Sequence, residues 1–414
     1  MRLLFAVQRY GAEVLGGGER ACRDYALRLA ARGHDVEVVT SRAKSYVDWA
    51  DVYPEGDEQD GAVTVHRFSV RAPRDHRFFG PLHERVVWGR PQPAYHVQRL
   101  WHQMQGPDLP ALPGWLREHA ARFDVVVFFT YLYPHTGDGL AAVAGVVPTV
   151  LHPLAHDEPP FALAVFDPIF QLADAFAYLA EEEQTLVERR FGLQRPSIIT
   201  GVGIDLDALD RDAGDEASFR DHIGIGERPY LLYVGRIDAS KGALELVDAY
   251  RAYCERHPAA PLLVMLGELI SELTPTEGVV VTGAMDEGMK NAALAGCLAL
   301  VQPSYFESFS IVLCEAWAHR RPAIVQGRCE VLRGQARRSG GAIPYVGYGE
   351  LESAIELLAG DRDLGDELGA AGRAYVERRY DWSDLLDRYE GFLAHVRDDW
   401  QRRSPGRGLQ TPAL

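Results

Sequence analysis

The sequence predicts an α/β protein built from two doubly wound, parallel-sheet domains that face each other across a central cleft. Short apolar segments alternate with helical segments along almost the whole chain. Strands separated by helices of about 10–15 residues form parallel sheets with right-handed crossovers. A length of 414 residues exceeds what one hydrophobic core usually organises, so two domains are expected.

The first half of the chain contains a glycine-rich turn followed by a predicted helix, Glu19–Arg32. Asp51–Gly61 is acidic and is predicted to be a loop. Residues 71–118 interleave arginine and histidine with aromatic residues, and their proline and glycine content predicts loops and short helices. A further helix is predicted from Glu181. The predicted strands are Leu3–Val7, Asp35–Thr40, Val63–Phe68, Asp124–Thr130, Pro148–His152, Phe176–Leu179 and Ser197–Thr200.

The second half begins after Gly201–Asp205 and the polar run Asp207–Ser218, which are predicted to form an interdomain linker. The same alternation of strands and helices then resumes. The predicted strands are Tyr230–Val234, Pro261–Leu266, Val279–Thr282, Leu298–Gln302 and Ala323–Val325; the predicted helices are Ala243–Arg256, Glu287–Ala295, Ile311–His319, Leu351–Leu358 and the C-terminal Asp381–Trp400.

Composition excludes several classes of protein. A net charge of −16 argues against nucleic-acid binding. The five cysteines are odd in number and scattered, which predicts free thiols in a reducing compartment. No apolar run approaches the length needed to span a membrane. We therefore expect a soluble, cytoplasmic protein.

Two carboxylates interrupt the apolar stretch Leu298–Val325. Glu307 lies in the predicted loop before a helix, and Glu315 lies inside that helix among apolar residues. A buried carboxylate is costly unless it accepts hydrogen bonds or pairs with a cation. Two interpretations remain open for Glu315: an ion pair with a nearby arginine, or hydrogen bonds from the vicinal hydroxyls of a ligand at the carboxyl edge of the sheet.

Two glycine-containing loops have the composition of phosphate-binding sites. Gly235–Gly242 follows a strand directly, and its residues Arg236 and Lys241 suit phosphate oxygens, although a solvated cationic loop is the alternative. The loop lacks the Walker A pattern. Gly17 and Gly18 open the first helix, where a phosphate can approach the backbone; the alternative is a flexible turn.

Histidine and aspartate pairs provide weaker signals. His152 and His156 follow a predicted strand and suit a hydroxyl ligand, a metal or an ordinary loop. Asp205 and Asp207 form a DxD sequence that is better explained as a helix cap. No metal-ligand spacing accompanies these residues, so no metal site is predicted.

These features, in this order, resemble the retaining glycosyltransferases of family 4 (glycosyl transferases group 1), which have the GT-B architecture of two Rossmann-like domains. The resemblance rests on the glycines before Glu19, His152 after its strand, Gly201–Asp205, the GRxxxxKG segment at 235–242, and Glu307 and Glu315 separated by seven residues. It implies transfer of a sugar from a UDP- or GDP-sugar to a hydroxyl acceptor, without a required cofactor or metal. The alternatives are a nucleotide-sugar epimerase of the same fold and a non-catalytic nucleotide-sugar-binding protein.

The resemblance also implies a domain plan. Residues 1–205 correspond to an acceptor-side domain and residues 206–380 to a domain that binds the nucleotide sugar. Residues 381–400 form a helix that packs back toward the first domain, and residues 401–414 form a mobile tail. The basic and aromatic segment 71–118 is expected either to shape the pocket for an anionic or lipid-linked acceptor, with peripheral membrane contact, or to be a packed insertion with solvated arginines.

The resemblance assigns roles to individual residues. Arg236 and Lys241 hold the diphosphate, Glu307 contacts the sugar, and His152 lies beside the reacting carbon or the sugar hydroxyls. Glu315 takes the ribose hydroxyls. The remaining donor-binding residues are Gly17, Gly18, Gly235, Met285, Asp286, Ser310, Ile311 and Val312. The chain has Ser310 and Arg320 where the family usually has glycine, and Ser310 is expected to affect donor preference.

Overall fold

The computed structural model describes residues 1–14, 16–211, 215–274 and 276–403. The chain divides into two compact units. The first comprises Met1–Thr200 and Leu386–Leu414, and the second comprises Gly201–Leu385. Most of the predicted tail, residues 404–414, lies outside the described residues.

The first unit contains an eight-stranded sheet with the order β3-β4-β2-β1-β5-β6-β7-β8. Its neighbouring strands are parallel except for the antiparallel pair β3 and β4. The prediction of a loop at Asp51–Gly61 was wrong in part, because β3 forms there as a polar edge strand without an apolar pattern. The strands are β1 Arg2–Ala6, β2 Asp35–Ser41, β3 Gly56–Asp60, β4 Val63–Phe68, β5 Val125–Phe129, β6 Thr149–His152, β7 Ala175–Tyr178 and β8 Ser197–Ile199.

Helices cover the first sheet and bury its apolar strands. Residues 71–118 form short helices, as predicted, and they contribute Phe79, Trp101 and Leu116 to the core of the unit. A π-helical turn, Glu84–Trp88, continues the first of these short helices, His76–His83. The helices are α1 Gly17–Ala31, α2 His76–His83, α3 Tyr95–Gln105, α4 Leu112–His119, α5 Pro134–Val143, α6 Asp167–Leu172, α7 Glu181–Phe191 and, from Leu386 onward, the last helix of the chain, Trp382–Arg403.

The second unit contains a six-stranded parallel sheet with the order β11-β10-β9-β12-β13-β14. The strand order reverses between β9 and β12, which makes this pair the topological switch point of the sheet. Strand β14 was not predicted because it is a short edge strand that contains Pro344. The strands are β9 Tyr230–Val234, β10 Leu262–Leu266, β11 Val279–Gly283, β12 Ala299–Gln302, β13 Ala323–Gln326 and β14 Ala342–Tyr345.

The predicted linker after Asp205 was wrong, because most of it is helical. Asp205 Oδ1 accepts a hydrogen bond from the Ala208 amide at 3.0 Å, which confirms its predicted role as a helix cap. Phe219 is buried and anchors the second of the two helices. The helices of this unit are α8 Leu206–Arg211, α9 Glu216–Ile223, α10 Ala243–Arg256, α11 Glu287–Gly296, α12 Ile311–Ala318, α13 Glu330–Ser339, α14 Tyr348–Gly360 and α15 Arg362–Arg379; α16, Trp382–Arg403, begins in it.

Glycines on α15 allow it to pack closely against the end of α12. A methyl group at Gly369 would lie 2.0 Å from the carbonyl oxygen of Arg320, whereas one at Gly365 would lie 3.9 Å from Pro322 Cγ. We expect Gly369→Ala to lower the free energy of unfolding by about 1–3 kcal/mol through overpacking. Gly365→Ala, on the same helix, should raise it by up to about 1 kcal/mol. Urea titration of both variants checks this prediction, and equal losses would contradict it.

Candidate active site

The loops that follow β9 and β12 meet at the switch point of the second sheet. Lys241 Nζ, from the β9 loop, lies 2.8 Å from Glu307 Oε1, from the β12 loop. The Lys241 side chain is 31% exposed and that of Glu307 is 12% exposed. Gly242 has φ 70°, and a Cβ there would lie 2.5 Å from the Pro303 carbonyl oxygen, so glycine is needed for the loops to approach this closely. The site therefore presents a paired cation and carboxylate at a carboxyl edge.

Asp238 organises the β9 loop, which Gly235 opens. Its Oδ1 accepts hydrogen bonds from the Lys241 amide at 3.0 Å and from the Ser240 hydroxyl at 2.6 Å. Its Oδ2 lies 3.7 Å from Arg236 Nε, and the Arg236 side chain is 37% exposed. One aspartate thus holds the backbone at Lys241 and balances Arg236, which places both cations on the same short turn.

Glu315 lies in an ion pair within the apolar helix α12. Its Oε1 is 3.0 Å from Lys290 Nζ, and the two side chains are 5% and 9% exposed. Lys290 also lies 2.7 Å from the exposed Glu287. The interpretation as an ion pair is therefore confirmed, but the predicted partner was wrong, because it is a lysine on α11 and not an arginine. The second interpretation, in which Glu315 binds the hydroxyls of a ligand, stays a prediction.

Four other predicted donor-binding residues lie at the N-terminal ends of α11 and α12. Asp286 Oδ1 accepts a hydrogen bond from the Met289 amide at 2.8 Å and so caps α11. Met285 is half-buried beside it. Ile311 and Val312 form the half-buried first turn of α12. The side chain of Asp286 is thus already used by its own helix, at one of its two oxygens.

The glycine-rich turn of the first unit is fixed by a buried ion pair. Arg9 and Gln8 donate to Glu19 Oε1 at 2.9 Å and 2.8 Å, and all three residues are at most 7% exposed. A Cβ at Gly16 would lie 2.2 Å from Glu19 Oε2. Gly17 and Gly18 follow as the first residues of α1. Arg9 was not predicted as a site residue, because nothing in its local sequence pattern distinguishes it.

His152 lies in the core of the first unit. Its Nε2 is 2.8 Å from the Tyr389 hydroxyl, and its ring stacks on Phe129 with centroids 4.4 Å apart. The side chain is inaccessible to solvent, and burial lowers the pKa of the imidazole to about 3. His152 is therefore neutral at physiological pH, and its predicted contact with the reacting sugar stays a prediction.

Comparison with known families decides the class of the protein. The model of the glycosyl transferase 4-like domain matches residues 16–200, and the model of glycosyl transferases group 1 matches residues 215–375. Each match falls within one unit of the structure. The chain belongs to the GT4-type glycosyltransferases.

Individual relatives of this glycosyltransferase are distant in sequence. The glycogen synthase of Mycobacterium tuberculosis is 25% identical, with 93% of this chain and 92% of that protein aligned. The GDP-mannose-dependent α-(1-6)-phosphatidylinositol monomannoside mannosyltransferase of the same organism is 26% identical, over 56% of this chain and 65% of the relative. These identities leave the substrates of the present enzyme open.

Solved structures confirm the predicted GT-B fold. Sucrose-phosphate synthase from Thermosynechococcus elongatus has a TM-score of 0.70 and 16% identity, with 96% of this chain and all of that chain covered. HepE from Anabaena, in complex with UDP and glucose, has a TM-score of 0.67 and 15% identity, with 95% and 99% covered.

The described part of the glycosyltransferase contains neither a candidate metal site nor a candidate membrane-spanning helix. No cluster of three or more histidine, cysteine, aspartate or glutamate side chains there is arranged to hold a metal ion. None of its described helices is both long and apolar enough to cross a membrane.

Acidification should destabilise this glycosyltransferase through His152. The folded-state pKa of about 3 lies below the ordinary value of 6.5, so the unfolded chain binds a proton that the native state excludes. This contribution to stability is present above pH 6.5 and is lost as the pH falls toward 3, at up to about 1.4 kcal/mol per pH unit. His152→Gln keeps a partner for Tyr389 but does not titrate. Urea titrations at several pH values between 7 and 5 give the free energy of unfolding as a function of pH. We expect its slope against pH to be smaller in this variant, by up to about one bound proton. Identical slopes against pH would contradict the prediction.

Proposed function

We propose that the enzyme transfers a sugar from a UDP- or GDP-sugar to a hydroxyl acceptor, with retention of the anomeric configuration. The observation that carries the proposal is the 2.8 Å contact between Lys241 and Glu307 at the switch point of the second sheet. Open α/β sheets bind their ligands at this position. The names of relatives support the donor class, since one is a GDP-mannose-dependent enzyme and another was solved with UDP and glucose.

Lys241 and Arg236 supply the electrostatic part of the proposed mechanism. Negative charge grows on the diphosphate as the sugar departs, and the two cations on the turn that Asp238 organises oppose it. Arginine offers a planar fork of donors and lysine a compact charge, so the two suit different phosphate oxygens. Lys241 exchanges Glu307 for the diphosphate when the donor binds. Glu307 is then available to accept hydrogen bonds from the sugar.

The nucleoside is proposed to lie against α11 and α12. Glu315 accepts hydrogen bonds from the ribose hydroxyls, and the ammonium group of Lys290 compensates its charge inside the apolar helix. Met285 and Asp286 border the base. Gly235, Ser310, Ile311 and Val312 bring backbone close to the phosphates, near the positive end of α12.

The first unit contributes backbone in this proposal. Gly17 and Gly18 place the amides at the start of α1 near a phosphate, and the buried Arg9–Glu19 pair fixes that turn. His152, at the end of β6, is proposed to lie beside the sugar as a neutral imidazole.

A ligand screen tests the donor class. The protein is heated with UDP, GDP, UDP-glucose or GDP-mannose at about 100 times the dissociation constant, where a bound ligand adds about 2.7 kcal/mol of stability. We expect one nucleotide class to raise the melting temperature. Analysis of the products then separates a glycosylated acceptor from an epimerised sugar or no turnover. Stabilisation by none of these ligands would contradict the proposal.

An arginine–aromatic face in the first unit is a candidate for acceptor binding. We use this name for five exposed residues on three elements that contact one another: Phe78 on α2, Arg85 and Trp88 on the π-helical turn, and Tyr95 and Arg99 on α3. Phe78, Trp88 and Tyr95 are 68%, 57% and 45% exposed. Among the described carboxylates, none forms an ion pair with either arginine of this face. In a chain of net charge −16, this local excess of positive charge complements an anionic membrane surface, so we propose a lipid-linked acceptor.

Charge reversal tests the arginine–aromatic face. Arg77 is unsuitable because it pairs with Asp75, so Arg85 and Arg99 are both changed to glutamate. Sedimentation with phosphatidylglycerol vesicles should fall at least about ten-fold, because each basic residue near the surface contributes about 1 kcal/mol. Arg337→Glu combined with Arg362→Glu, both at exposed positions of the second unit, gives the same change of net charge and serves as the control. Unchanged sedimentation would exclude membrane contact, and an acceptor KM raised without vesicle binding would indicate a free anionic acceptor instead.

A further inference from the structure

Ser310 has an unusual backbone conformation for a serine. It precedes α12 with φ 72° and ψ 82°, in the left-handed region that side chains other than glycine occupy at an energetic cost. It is 7% exposed. Serine is a favoured helix cap, yet this side chain makes no hydrogen bond to the amides of α12. The hydroxyl therefore has a role other than capping the helix.

Gln302 fixes the orientation of the Ser310 hydroxyl. This glutamine ends β12 and is 6% exposed. Its Nε2 lies 3.0 Å from Ser310 Oγ and 3.5 Å from Glu307 Oε1. A carboxylate only accepts hydrogen bonds, so the amino group of Gln302, and not its carbonyl oxygen, must face Glu307. The same amino group donates to Ser310 Oγ, which leaves the serine proton for a different partner.

No described residue accepts that proton, since the bond from Gln302 is the one hydrogen bond of the Ser310 side chain. Its surroundings favour an anionic acceptor. The first amides of α12 provide positive potential beside Ser310, and Lys241 binds the carboxylate that Gln302 approaches. The backbone just before Ser310 is also fixed, because Gln335 Nε2 donates a hydrogen bond to the Phe309 carbonyl oxygen at 2.6 Å.

We propose that the Ser310 hydroxyl donates a hydrogen bond to an oxygen of the donor's diphosphate and that Gln302 is the residue that positions it. This inference rests on the proposed function, because it assumes a nucleoside-diphosphate donor. Glycine would adopt the same backbone without strain, so the hydroxyl is what serine adds at this position. Ser310 is then a specificity-determining residue of the proposed donor site.

Two substitutions separate the hydroxyl from the backbone strain. Ser310→Gly removes both, whereas Ser310→Ala removes the hydroxyl and keeps the strain. We expect both variants to bind UDP or GDP, whichever the wild type binds, about ten-fold or more weakly, as for a lost hydrogen bond to a charged group. The melting temperature should be higher for Ser310→Gly than for Ser310→Ala. Calorimetric titration gives the dissociation constants, and Ser308→Gly in the same loop controls for added flexibility.

A double-substitution cycle tests the role of Gln302. Gln302→Leu alone should weaken binding of the nucleoside diphosphate. In the double variant with Ser310→Gly, the fold-increase in dissociation constant should be smaller than the product of the two single fold-increases. Full additivity would overturn the positioning role.

The failures of the two proposals are distinguishable. If the wild type binds a nucleoside diphosphate and Ser310→Gly binds it equally well, the inference is overturned while the proposed function stands. A raised KM for the sugar nucleotide with unchanged binding of the diphosphate also overturns it, because the contact would then be with the sugar. Absence of nucleotide binding by the wild type overturns both.

Discussion

Lys241→Ala lowers kcat at least about 100-fold, because one preorganised donor to a developing negative charge contributes roughly 10²–10³ in rate. Lys241 Nζ lies 2.8 Å from Glu307 Oε1, at the edge of the sheet where the donor is proposed to bind. The Lys241 side chain is 31% exposed, but Glu307 is 12% exposed and retains a 3.5 Å contact with Gln302. The variant should therefore lose about 1–3 kcal/mol of the free energy of unfolding, which is too little to unfold the protein. The effect on rate therefore cannot arise from unfolding.

Lys44→Ala is the matched control, since the chain has three lysines and this one lies in the first unit. Lys44 also forms an ion pair, 3.0 Å from Glu13, but both side chains are largely exposed. Initial rates at saturating donor, with each variant checked by circular dichroism, give the comparison. Turnover of Lys241→Ala near that of Lys44→Ala would refute the assigned role of Lys241.

Glu315→Leu lowers the free energy of unfolding by about 3 kcal/mol, because it leaves the ammonium group of Lys290 buried with less compensation. The remaining partner of Lys290, Glu287, is 71% exposed and replaces only part of the lost interaction. The same variant should lose measurable affinity for the nucleotide, since the proposed acceptor of the ribose hydroxyls is gone. Urea titration and calorimetric titration measure the two effects separately.

The double variant Lys290→Met with Glu315→Leu separates structure from function. Replacing both members of a buried ion pair by apolar residues of similar size is often neutral for stability. We therefore expect the double variant to recover most of the lost stability but none of the nucleotide binding. If nucleotide binding returned together with stability, Glu315 would be a structural residue only.

The central strands were predictable because they are fully apolar runs bounded by breaking residues. Tyr230–Val234 and the helix Ala243–Arg256 have the predicted bounds. So does Val63–Phe68, although it lies near the edge of its sheet and contains three polar residues. The failures lie where burial is partial or a pattern is interrupted. Strand β3 consists of polar residues at a sheet edge, and three glycines interrupt the helical pattern of α15.

The charged residues of the candidate site could also be predicted from the sequence, because apolar strands precede them. Arg236, Lys241 and Glu307 lie in loops that follow apolar strands, and their charges stand out beside those strands. The residues that contact Glu315 and Ser310 could not be predicted in this way. Lys290 and Gln302 lie in ordinary helical and strand contexts, and their roles arise from contacts with Glu315 and Ser310 that depend on how the helices pack on the sheet. The rarity of lysine in this chain was the one available signal for Lys290.

A crystal structure of the enzyme with its nucleoside diphosphate tests the central claim most directly. We predict that Lys241 Nζ leaves Glu307 and lies within about 3 Å of a phosphate oxygen, at hydrogen-bond distance, together with the guanidinium group of Arg236. Glu315 should accept hydrogen bonds from the ribose. A bound nucleotide with Lys241 still on Glu307 and with Glu315 contacting only protein side chains would contradict the account.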